Sequence, residues 1–110
     1  MAIKVYTLKG TISAGASETE LDVMTVPSGR KRTIQEVRVY ISATSGVQAR
    51  LYKNLDYLAE FNAEVSDELK LPYPVNEVLA EGDKLRLTAI NTTTSSANII
   101  VEVVVEETAA

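Results

Sequence analysis

The chain contains no cysteine, no histidine and no tryptophan in 110 residues. Without cysteine there is no disulfide, no thiolate nucleophile and no Cys/His zinc site. Without histidine there is no imidazole to act as a general base near neutral pH. Any acid–base chemistry would fall to carboxylates, Lys or Tyr, and the expectation is that the protein is not an enzyme. The lack of cysteine fits any redox compartment. Aromatics are scarce, with Phe61 joined only by Tyr6, Tyr40, Tyr52, Tyr57 and Tyr73. Purely apolar runs are a few residues long, as in "VVV" at 103–105, far too short to cross a bilayer. The opening "MAIKVYTLKG" lacks an apolar run of signal-peptide length. A net charge of −4 argues against a nucleic-acid or membrane-surface binder, which needs a basic face.

What is present is a globular composition, 45% apolar, of a length that suits one domain over 1–110. Val, Ile and Thr are abundant and suit a pleated, half-buried surface. Strands are expected near 3–12, 19–26, 31–43, 47–53, 57–62, 75–80, 84–92 and 97–107. "VPSGR" (26–30), "TSG" (44–46), "KNLD" (53–56) and "EGD" (81–83) supply turn chemistry between them. "FNAEVSDELK" (61–70) has room for one helical turn at most. "LPYPV" (71–75) carries two prolines and reads as an edge strand or a connection.

Eight short strands with turns at this spacing imply an all-β antiparallel sandwich. A jelly roll is favoured over an immunoglobulin-like arrangement, whose Cys…Trp…Cys marker cannot occur here. Alternation assigns Val37, Val39 and Ile41, then Val47, Ala49 and Leu51, to the core. It adds Leu85, Leu87 and Ala89, and Ile99, Val101, Val103 and Val105. Burying each of the larger ones is worth roughly 1.5–3 kcal/mol before chain entropy is charged.

Two segments carry a resemblance. "TVPSGRKRTIQEVRVYIS" (25–42) couples a Pro-Ser-Gly turn to a long strand. "VLAEGDKLRLTAINTTTSSANIIVEVVVEE" (78–107) couples a Glu-Gly-Asp turn to two closing strands. Together with "TSGVQARLYKN" (44–54) they resemble the small jelly-roll structural proteins of tailed bacteriophages and related viruses. These are capsid decoration (cement) proteins and head-fibre or tail-fibre modules. The resemblance spans about 19–107 and rests on turn chemistry and strand order, so it carries over no functional residue. It implies a non-enzymatic homo-oligomer, a trimer by the same likeness. It also implies a virion location on the capsid surface and a viral capsid protein as partner.

Several constellations are candidate sites. Ile34 and Tyr40 are expected on the outer face of 31–43, and Ile100 and Val104 on that of 97–107, as an oligomer interface rimmed by charge. Scattered surface apolars, or cover by strand 3–12, would account for them equally. Arg30, Lys31 and Arg32 form a cationic turn, and Thr93 and Thr94 sit in a mobile polar loop; these are the candidate partner contacts. Glu18, Glu20 and Asp22 alternate on one strand, too dispersed for a calcium site, so no metal and no cofactor is expected. Asn91-Thr92-Thr93 matches a glycosylation acceptor by chance. Tyr52, Tyr57 and Tyr73 could form an aromatic platform, which keeps a carbohydrate- or receptor-binding module open as the alternative function.

Overall fold

A computed structural model of the protein describes residues 2–63, 68–71 and 76–110. Among these residues there are nine strands and no helix. They are β1 (Ala2–Ile12), β2 (Thr19–Thr25), β3 (Arg30–Ile41), β4 (Val47–Lys53) and β5 (Asp56–Asn62). Then follow β6 (Glu68–Leu71), β7 (Val78–Leu79), β8 (Lys84–Asn91) and β9 (Ala97–Ala109). Eight of them match the expected strands. β6 is the addition, and it lies where at most one helical turn was expected. The 75–80 strand shortens to Val78–Leu79, while Tyr73 and both prolines of 71–75 lie outside the described residues.

The strands form two antiparallel sheets, β1-β9-β3-β6 with β7 also on β3, and β2-β8-β4-β5. The result is a β-sandwich. The pairing is nested: β4 pairs β5, β3 pairs β6 and β7, β2 pairs β8, and β1 pairs β9. The chain is therefore one long hairpin rolled up, with β3–β9 and β4–β8 added where the roll closes on itself.

The core lies between the sheets. Every core vote made from alternation is buried, including Val37, Leu51, Leu87 and Val101. Small residues let the sheets approach: Ala49 and Ala89 face each other across β4–β8, both with no exposed surface. At the β1/β2 margin Gly10 packs on Leu21, where an added Cβ would sit 2.8 Å from the Leu21 Cβ.

One irregularity corrects the sequence reading. β3 and β9 pair Ile34 with Val105 and Glu36 with Val104, so Gln35 is an extra residue. Such a bulge reverses the inward/outward parity of everything before it. Arg32 and Ile34 thus point inward ahead of it, and Val37, Val39 and Ile41 point inward after it. Strand β1 does not cover the outer face of this sheet. It extends the sheet beyond β9, in register from Ala2 opposite Glu107 to Ile12 opposite Ala97.

Candidate interaction surfaces

The four residues expected at an oligomer interface divide. Ile34 is in the core with no exposed surface, and its backbone bonds Glu77 and Asn76. It is not an interface residue, because the bulge at Gln35 turns it inward. Tyr40 and Ile100 do stand together. They are directly opposed on β3 and β9, and each keeps about two-fifths of its surface exposed. A shallow groove of about 370 Å³ runs beside them, lined by Arg38, Val39, Tyr40, Ile100 and Glu102. Val104 is half-buried between Val5 and Glu36. Ile3 and Val5 on β1 extend this apolar stripe and are exposed at 62% and 54%. Lys9, Glu36, Arg38, Glu102 and Glu106 are interleaved with it. Arg38 and Glu36 bond each other at 2.9 Å. The arrangement is a stripe of apolar side chains interleaved with charges of both signs.

The cationic turn also divides. Arg30 and Lys31 are exposed, but Arg32 is buried and unavailable to a partner. It lies on the inward parity set by the bulge, where a charge must be neutralised to be tolerated. Its Nε donates to Glu107 Oε1 at 2.8 Å, its Nη2 donates to the Tyr6 hydroxyl at 2.8 Å, and its guanidinium stacks on the Tyr6 ring. Lys4 Nζ completes the cluster on Glu107 Oε2 at 2.6 Å. These two cations, Lys4 first and Arg32 second, hold the Glu107 carboxyl down at about 2. Alternation along β9 already carried the signal, since Glu107 shares parity with Val103 and Val105.

The 91–98 loop is pinned rather than mobile. Asn91 is buried; its Nδ2 donates to the carbonyls of Ile12 and Ser95, and its Oδ1 accepts the Thr93 N–H. Gly15 and Thr92 tie the loop to its neighbours through the Thr93 and Gly46 carbonyls. Thr94 remains exposed and Thr93 half-buried, so the loop is a stiff tip. The Asn91 side chain is fully engaged and offers no acceptor for a glycan.

The outer face of the second sheet is a polar lattice. Glu18 Oε2 accepts from Tyr52 and Thr88, both at 2.7 Å, and Glu18 Oε1 meets Arg50 Nη1 at 3.0 Å. The Thr88 and Tyr52 hydroxyls lower the Glu18 pKa. Arg50 also contacts Glu60, which accepts from Tyr57. Glu20 bonds Arg86, and Asp22 accepts the Lys9 N–H, so Glu18, just before β2, and the two acids of β2 reach different partners. Tyr52 and Tyr57 lie 5.6 Å apart with rings tilted by 58°. Leu55, 88% exposed, tips the β4–β5 hairpin above an open groove that includes Glu20, Lys84 and Arg86.

No protein-family model and no curated protein matches the sequence. Solved structures do share the fold. One is the crystal structure of FLHE, with a TM-score of 0.52 at 9% identity over 94% of this chain and 98% of that one. Another is a chain of the acidic stable capsid of Helicobacter pylori bacteriophage KHP30, with a TM-score of 0.50 at 12% identity over 94% and 92%. A third, the VP2 subviral particle of infectious bursal disease virus, has a TM-score of 0.42 at 12% identity over 92% of this chain and 32% of that one. A chain of a bacteriophage capsid is thus among the structures that share its fold.

Proposed function

We propose that this is a non-enzymatic virion protein, a capsid decoration or cement protein that self-associates and stabilises a larger protein shell. The observation that carries the reading is the outer face of the β1-β9-β3 sheet. Tyr40, Ile100, Val104, Val5 and Ile3 form an apolar stripe on a rigid sheet, interleaved with charges of both signs. A repeated protein lattice offers such a surface many weak, simultaneous contacts, which add up through avidity. The nested pairing supports the jelly-roll arrangement over an immunoglobulin-like one. A chain of a bacteriophage capsid shares the fold over nearly its whole length. Arg30, Lys31 and Thr94 are exposed beside this body and serve as secondary contact tips.

The test is co-sedimentation with undecorated, expanded shells of the virus whose genome carries the gene. The protein is expected to bind them and to raise their resistance to heat or chaotrope. Tyr40→Ala or Ile100→Lys is expected to weaken binding without altering the β-sheet spectrum.

One observation favours a second reading, a carbohydrate-binding module. Tyr52 and Tyr57 stand together on the opposite face beside Glu18, Arg50 and Glu60, which could bond hydroxyl groups. Their tilt denies a ligand one flat stacking surface. A glycan array decides between the readings. Retention lost in Tyr52→Ala or Tyr57→Ala, with no shell binding, replaces the first reading by the second.

A further inference from the structure

Strand β1 is an edge of its sheet, with β9 on one side only. The two halves of that edge differ. At Lys9 the backbone N–H is taken by Asp22 Oδ2 from β2 at 3.1 Å, and at Gly10 the strand presses on Leu21. That half is closed. The Lys9 bond also fixes the direction of the backbone. Its N–H points away from β9, and residues two apart in a strand point the same way. The N–H and C=O groups of Thr7, Val5 and Ile3 therefore face outward too, since the β1–β9 register has no bulge. The Ile3 and Val5 side chains beside them are exposed and apolar.

Both edges of the second sheet are guarded. β2 carries a bulge between Glu20 and Asp22 together with its acids, and β5 carries Asp56 and Glu60. Bulges and charges are the usual protection against unwanted pairing. On β1 the only charge between Ala2 and Leu8 is Lys4, and it is drawn inward onto Glu107.

We infer that the open half of β1 pairs antiparallel with the same segment of a second copy, about a two-fold axis through Val5. The stretch left free by Asp22 and Leu21 is Ala2–Leu8, and its midpoint is Val5, a residue whose backbone faces outward. In that register Val5 opposes Val5, and Ile3 opposes Thr7 of the second copy. Their N–H and C=O groups meet as hydrogen-bonded pairs. On the inner side Lys4 opposes Tyr6 of the second copy. Each Tyr6 hydroxyl lies between its own Glu107 and Arg32, which are already paired with each other, so each Lys4 meets the neutral ring of a cluster whose charges are matched internally. The contact is isologous and closed, so it stops at two copies. It gives a sheet continuous across the pair, with the apolar stripe of each copy side by side. It needs no shell, so its success or failure is read separately from shell binding.

The experiment is light scattering after size exclusion on the full chain, with amide hydrogen exchange on the same samples. The expected mass is that of a dimer. Val5→Pro should halve it while keeping the β spectrum, because the lost N–H faces away from β9 and proline is tolerated there. Leu55→Lys, at the tip of the β4–β5 hairpin on the other sheet, should leave the dimer intact. In the wild type, the Ile3, Val5 and Thr7 amides should be protected at high concentration and lose protection on dilution. A monomer at high micromolar concentration overturns the inference. So does a trimer that survives Val5→Pro, or outward amides that exchange freely in the dimer.

Discussion

Glu107 is a carboxylate on the core face of a strand, and the sandwich tolerates it because two cations and a tyrosine hydroxyl converge on it. Its pKa is depressed from 4.5 to about 2 in the folded protein. A group so depressed binds its proton less readily folded than unfolded, so its contribution to stability is present above the unfolded value. The contribution is lost as pH falls from that value through the folded one. Glu107→Gln is therefore expected to lower the melting temperature at neutral pH, with the gap to wild type narrowing as pH drops from about 5 to 2. Thermal melts across that range check it. Gly46 is a second residue-scale constraint. Its φ is +74°, and a Cβ there would meet the Thr93 methyl at 2.6 Å. Gly46→Ala is expected to cost more than about 1 kcal/mol, read by chemical denaturation, because both backbone strain and a clash with the pinned loop oppose it.

Among the elements, β3 explains why the sequence was legible in one place and not in another. Val37, Val39 and Ile41 alternate cleanly and were read as core, which they are. Ile34 was read as outer-face by the same alternation run backwards, and Arg32 as an exposed cation. One extra residue, Gln35, made both readings wrong. Nothing in the composition of "TIQEV" marks a bulge, since its cause is the register against β9. β6 was missed because a four-residue strand owes its existence to pairing with Val37–Tyr40. Tyr40, Ile100 and Val104 were assigned to the outer face correctly because alternation runs unbroken from Glu36 to Tyr40 and along β9. The bulge also makes a deletion test. Removing Gln35 restores a plain ladder with Ile34, Val37 and Val39 still inward, so that variant is expected to fold. Removing Arg38 puts the residues on one side of it onto the wrong face and is expected to prevent folding. Circular dichroism and solubility of the two variants distinguish these outcomes.

For the molecule as a whole, stability rests on one continuous core between two sheets, with inward residues from eight strands contributing to it. Leu87, with no exposed surface at the centre of β8, is expected to cost about 2–5 kcal/mol on change to Ala, read by denaturant titration. The acids that could have gathered at a cation instead disperse, with Glu18 on Arg50, Glu20 on Arg86 and Asp22 on the Lys9 backbone. Melting with and without EDTA is expected to give the same midpoint. A marked fall on chelation would show that calcium contributes to stability.

The nested pairing also governs how the protein reaches this state. The innermost pair, β4 with β5, closes a turn of two residues at Asn54 and Leu55. The outermost pair joins Ala2 to Glu107. Each successive layer must close a longer loop, and loop closure is the entropic toll that slows β-rich chains. The β4–β5 hairpin and its junction with β8 are thus the natural place for ordering to begin, and β1 is the last strand to find its neighbour. Of the nine strands β9 leaves a ribosome last, so β1 waits unpaired until the other eight have been made. Stopped-flow refolding is expected in the range of about milliseconds to seconds, with substitutions in β1 accelerating unfolding and leaving the folding rate nearly unchanged.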